Sequence, residues 1–201
     1  RALPAKKRVI IFSPHPDDDV ISMGGTFLRL VDQGHEVHVA YQTSGNIAVF
    51  DEEVVRFADF YVDLKNNYED QPAKTNSLYK KVFQAISGKK SGEIDTDIVQ
   101  NIKSLIRRGE AKAACRYVGI PDEHVHFLDM PFYETGAIEK NPIGDADIEI
   151  ITELITAIKP DQIYAAGDLS DPHGTHRVCL DAIFKSLDTI KKSSFMSNCW
   201  L

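Results

Sequence analysis

No stretch of this sequence reaches the ~18 consecutive apolar residues that a membrane-spanning helix needs, so no span is expected. Positive charge is also short. Lys and Arg number 23 against 30 Asp and Glu, and the net −7 excludes the clustered basic face of a nucleic-acid-binding surface. Cysteine is scarce: Cys115, Cys179 and Cys199 are odd in number, far apart and without a CxxC pair. That pattern suits unpaired thiols in a reducing, cytoplasmic setting better than a disulfide framework, and the thiols read as small core residues. Residues 1–7 are basic but have no apolar signal core, and read as a linker into a first strand. Internal repeats, low-complexity tracts and the GxGxxG fingerprint are all missing, so Gly24-Gly25 reads as close helix–strand packing rather than a phosphate cradle.

What is present is an alternation of short apolar runs with longer amphipathic ones. At 201 residues and 43% hydrophobic content, the chain is expected to fold as one domain over 1–201. Strands are predicted over 9–12, 36–43, 125–128 and 162–165, and helices over 19–33, 51–66, 95–118, 147–158 and 174–191. Asp19 is placed as a helix cap and Gly119 as the residue that ends the long helix. Strands separated by helices define an α/β class with a mostly parallel sheet. Residues 68–94, rich in Lys, Ser, Asn and Gly, read as an insertion or mobile loop with a short helix near 77–86. Met23, Met130 and the phenylalanines are assigned to the core. Asn198-Cys199-Trp200-Leu201 reads as the start of a strand, and both ends read as those of a piece of a longer chain.

Chemistry concentrates at two points. The first apolar run leads into Ser13-Pro14-His15-Pro16-Asp17-Asp18-Asp19, and the fourth is followed by Asp171-Pro172-His173-Gly174-Thr175-His176. Catalytic zinc takes three His, Asp or Glu ligands and keeps a position open. His15 and Asp18, three apart in a strand-to-helix turn, can face one ion, and His176 completes the set from the neighbouring strand's helix. Asp17 is then the general base that takes a proton from the attacking water. His173, as an imidazolium, can stabilise an oxyanion or protonate a leaving amine, with Asp171 holding its tautomer. Asp19 and Asp171 are expected to support these groups from behind. The donor set suits Zn²⁺ but also admits iron, cobalt or manganese.

Pro14-His15-Pro16-Asp17-Asp18-Asp19 followed by Gly24-Gly25, together with the late His173-Gly174-Thr175-His176-Arg177, resembles the PIG-L/LmbE-like zinc N-deacetylases. Thr43-Ser44-Gly45 and Arg107-Arg108-Gly109-Glu110-Ala111 extend the similarity over nearly the whole chain. The resemblance implies a Rossmann-like three-layer sandwich, a zinc ion and hydrolysis of an N-acetyl group from a glucosamine derivative. It also implies the same roles: His15, Asp18 and His176 as ligands, Asp17 as base, His173 as electrostatic or acid partner. Three positions depart from the family pattern: Asp19 stands for Glu, Gly45-Asn46 for Gly-Glu, and Gly174-Thr175 for the centre of His-Pro-Asp-His. The segment also resembles the C-terminal region of proteins whose front half is similar to glucosamine-6-phosphate deaminase. The partners expected are therefore a small amino-sugar substrate, a fused N-terminal deaminase-like domain and, as an open alternative, a second copy of the chain. The rival reading is a non-catalytic or differently specific sugar-binding module within such a protein.

Other polar residues are read more plainly. Arg108 or its neighbour Arg107 can reach a sugar hydroxyl or phosphate, or both can lie on a solvated helix face. Tyr133 in Phe132-Tyr133-Glu134-Thr135-Gly136 is a candidate sugar-stacking rim, and Asn46 a further substrate contact. His35 and His38 flank the second strand; His124 and His126 share a face of the third and could imitate a ligand pair, but are read as half-exposed strand histidines.

Overall fold

The computed structural model describes residues 5–68, 72–90, 92–137, 139–167, 170 and 174–201. Its strands are β1 (Arg8–Ser13), β2 (Glu36–Tyr41), β3 (Val125–Phe127) and β4 (Gln162–Ala165). The sheet order is β3-β2-β1-β4 and every pairing is parallel. The helices are α1 (Asp18–Asp32), α2 (Asp51–Tyr68), α3 (Pro72–Ser87), α4 (Asp97–Val118), α5 (Asp145–Ile158) and α6 (Thr175–Ile190). The chain winds from β1 out to β3, then restarts at β4 on the other side of β1. The gap between the carboxyl ends of β1 and β4 is therefore the point where the winding reverses, the usual ligand crevice of such sheets.

Alternation along β1 makes the three layers. Ile10 and Phe12 pack with Ile151 and Ile155 of α5 and with Cys179, Ala182 and Ile183 of α6. Val9 and Ile11 turn the other way, joining Val37, Val39 and Tyr41 of β2, Phe27 and Leu30 of α1, and Ala111 and Cys115 of α4. A strand apolar on both faces can only lie inside such a sandwich. This is the α/β, Rossmann-like architecture expected from the sequence.

The contacts divide the chain into two compact units. The first comprises Arg1–Ser44, Arg108–Thr135 and Glu139–Leu201 and holds the sheet; the second is Gly45–Arg107 with Gly136–Ile138. In the second, Val54, Val82 and Val99 are buried among Ala58, Ala85, Ile86, Ile98 and Ile102. Lys103, only 5% exposed, pairs with Asp51 at 2.6 Å and Asp95 at 2.7 Å. Residues 72–87 form the 16-residue helix α3, longer than the 77–86 expected inside a loop. Val82, Ala85 and Ile86 give it an apolar side, which the polar composition of the segment masked.

Other local expectations need correction. Asp19 does not cap α1; it lies inside the first turn, 2% exposed, while Asp17 occupies the N-cap position without a side-chain cap bond. Gly24-Gly25 does not mark tight packing. A Cβ on Gly24 would meet only Val20 at 3.9 Å and one on Gly25 nothing within 4 Å, and the pair follows a break in α1 at Met23 (φ −145°, ψ 23°). Phe50, Phe60 and Phe83 are at least half exposed, unlike Phe12, Phe27 and Phe132. Gly119 does end α4, at φ +92°, with the Ile120 amide donating back to the Cys115 carbonyl at 2.9 Å. Trp200 bridges in parallel to Gln162, extending the pairing beyond β4.

One carboxylate anchors the loop that follows β3. Asp147, 3% exposed, accepts from the Gly144 amide at 2.8 Å at the head of α5 and from the Phe132 amide at 3.0 Å. Asp147→Ala leaves the buried Phe132 amide unmet and uncaps the head of α5, and is expected to cost about 1–3 kcal/mol, read as a lower urea midpoint with lost exchange protection at the Phe132 amide.

Candidate metal centre and active site

The strand β1 ends in a turn because Pro14 and Pro16 cannot extend the ladder. The turn is tied down from two sides. Thr43 donates to the Pro14 carbonyl through its hydroxyl at 2.7 Å and its amide at 3.1 Å. Ser13 Oγ donates to the His15 carbonyl at 2.6 Å and accepts from the Asp19 amide at 3.0 Å. Gln42 links α6 to the segment after β3, donating to the Cys179 carbonyl at 3.1 Å while its own backbone carbonyl accepts from the Met130 amide at 3.0 Å.

At this edge the structure brings together His15, Asp18 and His176, whose ligand atoms all lie within 4.8 Å of one another. Asp18 Oδ2 is 3.2 Å from His15 Nδ1, 3.3 Å from His176 Nε2 and accepts from the His15 amide at 2.9 Å. Two donors each ~2.0–2.1 Å from a tetrahedral ion lie ~3.3 Å apart, so these spacings suit a divalent metal. Burial raises the Asp18 pKa, but hydrogen bonds from His15 and the charge of the two imidazoles outweigh it, leaving the carboxyl below its usual range. An anionic carboxylate between two half-buried imidazoles is a metal-ready donor set. Asp17 adjoins it at the head of α1, half-buried. His173 and Asp171 lie outside the described residues.

A buried polar chain behind the site was not foreseen from the sequence. Tyr41 OH donates to Asp19 Oδ2 at 2.9 Å and lies 3.3 Å from Cys115 Sγ. Burial raises the Asp19 pKa despite the hydrogen bonds it accepts, and burial raises the Cys115 thiol to about 11. Ser44 and Glu134 are likewise new: Glu134 accepts from the Ser44 amide and hydroxyl, both at 2.9 Å. The signal for Tyr41 and Ser13 was their place at the carboxyl ends of β2 and β1.

The three substrate-contact candidates fare differently. Arg108 is paired with Asp129 and stacks on Phe127 with its guanidinium 4.9 Å from the ring centroid. Tyr133 is 5% exposed; its ring stands edge-on to His15 at 5.7 Å and under the Lys140 ammonium at 3.7 Å, leaving little surface for a sugar to stack on. Asn46 belongs to the second unit, 4% exposed at the start of a short 3₁₀ turn, Asn46–Ala48.

The geometry defines an α/β protein with a metal-ready centre at the carboxyl edge of its sheet, and comparison with known proteins names the family. The profile described as GlcNAc-PI de-N-acetylase, PIG-L, matches residues 10–187, and the chain belongs to this family. It is 58% identical over 195 residues to a glucosamine-6-phosphate deaminase-like protein of Bacteroides thetaiotaomicron, and 42% identical over 168 residues to diacetylchitobiose deacetylase of Thermococcus kodakarensis. The matched parts cover 96% and 80% of this chain but only 29% and 59% of those relatives. Among solved structures, the fold is similar to GalB, the 4-carboxy-2-hydroxymuconate hydratase of Pseudomonas putida KT2440, with TM-score 0.57 and 16% identity over 94% of this chain and 59% of that one. It is also similar to a deacetylase of teicoplanin biosynthesis, with TM-score 0.51 and 19% identity over 92% and 64%.

Lys140 offers a pH probe of this rim. Burial holds its amine down to about 8 although the Glu134 carboxylate pulls the other way. The folded state therefore releases this proton before the unfolded chain does, near 10.5, so stability should rise with pH between about 8 and 10.5. Amine-selective labelling at Lys140, followed by mass spectrometry across a pH series, should show a midpoint near 8.

Proposed function

We propose that this chain is a zinc-dependent N-deacetylase that releases acetate from an N-acetylglucosamine derivative. The observation that carries the proposal is the His15, Asp18 and His176 cluster at the sheet's reversal point, in a chain belonging to the PIG-L family. His15, Asp18 and His176 would hold the ion. When bound there, it would supply Lewis acidity to an amide carbonyl and lower the pKa of water toward ~7.

The protein's own groups do the rest. Asp17, at the head of α1, takes a proton from the attacking water as its oxygen bonds to the acyl carbon. His173, carried over from the family resemblance, offsets the charge on the carbonyl oxygen and protonates the amine as the C–N bond breaks, giving acetate and a free amino sugar. Asp171, assigned from the sequence alone, would hold that ring's tautomer. Asp19, held by Tyr41 and Ser13, fixes the turn bearing Asp17 and Asp18. A setting in amino-sugar metabolism is supported by the names of the two relatives. Identity to a deaminase-like protein also favours the second reading, a sugar-binding module without turnover.

Metal content and acetate release should be measured together on N-acetylglucosamine, its 6-phosphate and diacetylchitobiose. Asp17→Asn should keep its metal and lose roughly 10²–10⁴-fold in turnover. Unchanged turnover would remove Asp17 from the mechanism. His176→Ala should lose the metal at the catalytic centre, and full occupancy in that variant would contradict the ligand set. Metal without acetate from any of the three sugars would favour the binding module.

A further inference from the structure

At the opposite end of the sheet lies a second cluster that the deacetylase reading does not use. Glu36 and His38 alternate along β2 and so share one face. The parallel register of β2 with β3, Val39 beside Val125 and Ala40 beside His126, brings the histidines of the third strand alongside. His124 sits in the 3₁₀ turn Asp122–His124 rather than in the strand, and its ring stacks on His38 at 4.0 Å. Glu36 lies five residue steps before Tyr41 in β2, roughly 16 Å along the strand, so this cluster is remote from the carboxyl edge.

We propose that Glu36, His38 and His124 form a second binding site for a divalent transition-metal ion such as Zn²⁺. Their ligand atoms lie within 4.8 Å of one another, as those of the first cluster do. His38 lies at the centre of the cluster. It is 8% exposed, and its buried Nε2 makes no hydrogen bond, standing 3.5 Å from Glu36 Oε1. Its other nitrogen, Nδ1, is 3.1 Å from His126 Nε2. If Nδ1 carries the hydrogen and His126 accepts, Nε2 presents a lone pair toward the carboxylate. Two acceptors then face each other across 3.5 Å, the histidine nitrogen buried and the Glu36 side chain 33% exposed, an arrangement that a cation relieves. A ligating imidazole whose second nitrogen donates to a neighbour is the common form of metal-bound histidine, with His126 as the orienting group.

Two imidazoles and one carboxylate suit zinc, nickel or copper rather than magnesium or calcium. Access comes from an open groove of about 370 Å³ lined in part by His35, Glu36, Pro121 and His124. Lys6 stands 3.6 Å from the outer oxygen of Glu36, but its side chain is 69% exposed and free to swing away. Bound there, the ion would clip the start of β2 to the turn that feeds β3.

The test is a metal count on the full chain, stripped with chelator and dialysed against Zn²⁺. Wild type should hold two equivalents, His176→Ala one, Glu36→Gln/His124→Gln one, and the three substitutions together none, with circular dichroism unchanged. Two equivalents in Glu36→Gln/His124→Gln would overturn the site, as would a single wild-type equivalent that disappears in His176→Ala. A second measurement needs no variant. Zn²⁺ should slow diethyl pyrocarbonate modification of His124 in wild type by at least ~10-fold, since a ligated nitrogen has no free lone pair. An unchanged rate would equally overturn it.

Discussion

A single oxygen, Oδ2 of Asp18, faces two imidazole nitrogens and one backbone amide within 3.3 Å. That meeting is affordable to the fold only because three elements converge. His15 comes from the end of β1, Asp18 from the first turn of α1 and His176 from the first turn of α6. β1 and β4 must be hydrogen-bonded neighbours for α6 to begin beside the β1 turn, and the register from Val9 with Gln162 to Phe12 with Ala165 secures this. Slip that pairing by one residue and the β4 side chains exchange faces, taking the head of α6 with them. The sheet order is thus the condition on which the site depends.

Behind the metal-ready cluster, burial is used to make the turn rigid rather than to make it reactive. Asp19 is almost completely buried beside a motif of three successive carboxylates, where charge repulsion would ordinarily favour solvent. Tyr41 and Ser13 satisfy it, and its raised pKa records that desolvation still wins. Asp18, one residue earlier, is shifted the opposite way by two imidazoles. Adjacent carboxyls pushed apart in this manner can take different parts, one facing the reaction and one holding the backbone.

Much of this was legible in the sequence, for identifiable reasons. β1 announces itself as an apolar, β-branched run and β4 as a shorter apolar one, each followed by a cluster of His and Asp, and His15, Asp18 and His176 could be picked out from those clusters. The helix α3 was hidden because Lys, Ser, Asn and Gly dominate the composition of residues 68–94. The partnership of Tyr41 with Asp19 and Cys115 joins positions far apart in the chain and follows from strand alternation plus the packing of α4, which no local pattern encodes. The same holds for Glu36, His38 and His124. A pair at 124 and 126 looked like two residues of one strand, yet His124 lies in a turn, and the cluster exists only because β3 pairs with β2.

Fold alone does not choose the chemistry. The solved structures most useful for comparison include both a hydratase and a deacetylase on this scaffold, at identities too low to carry an activity across. What narrows the choice is where donors are placed. Hydrolysis of an unactivated amide needs a polarised carbonyl, an attacking water that loses a proton and a leaving amine that gains one, all within reach of one acyl carbon. The carboxyl edge supplies a donor set suited to a metal and an adjacent carboxylate, Asp17, on the same turn. The amino edge has donors suited to a metal and a groove, but Lys6 stands against its only ligating carboxylate and the described residues show no second carboxylate within the cluster. By this reasoning an ion at the amino edge would brace the sheet, and the acid–base steps of the proposed reaction would fall to the carboxyl edge.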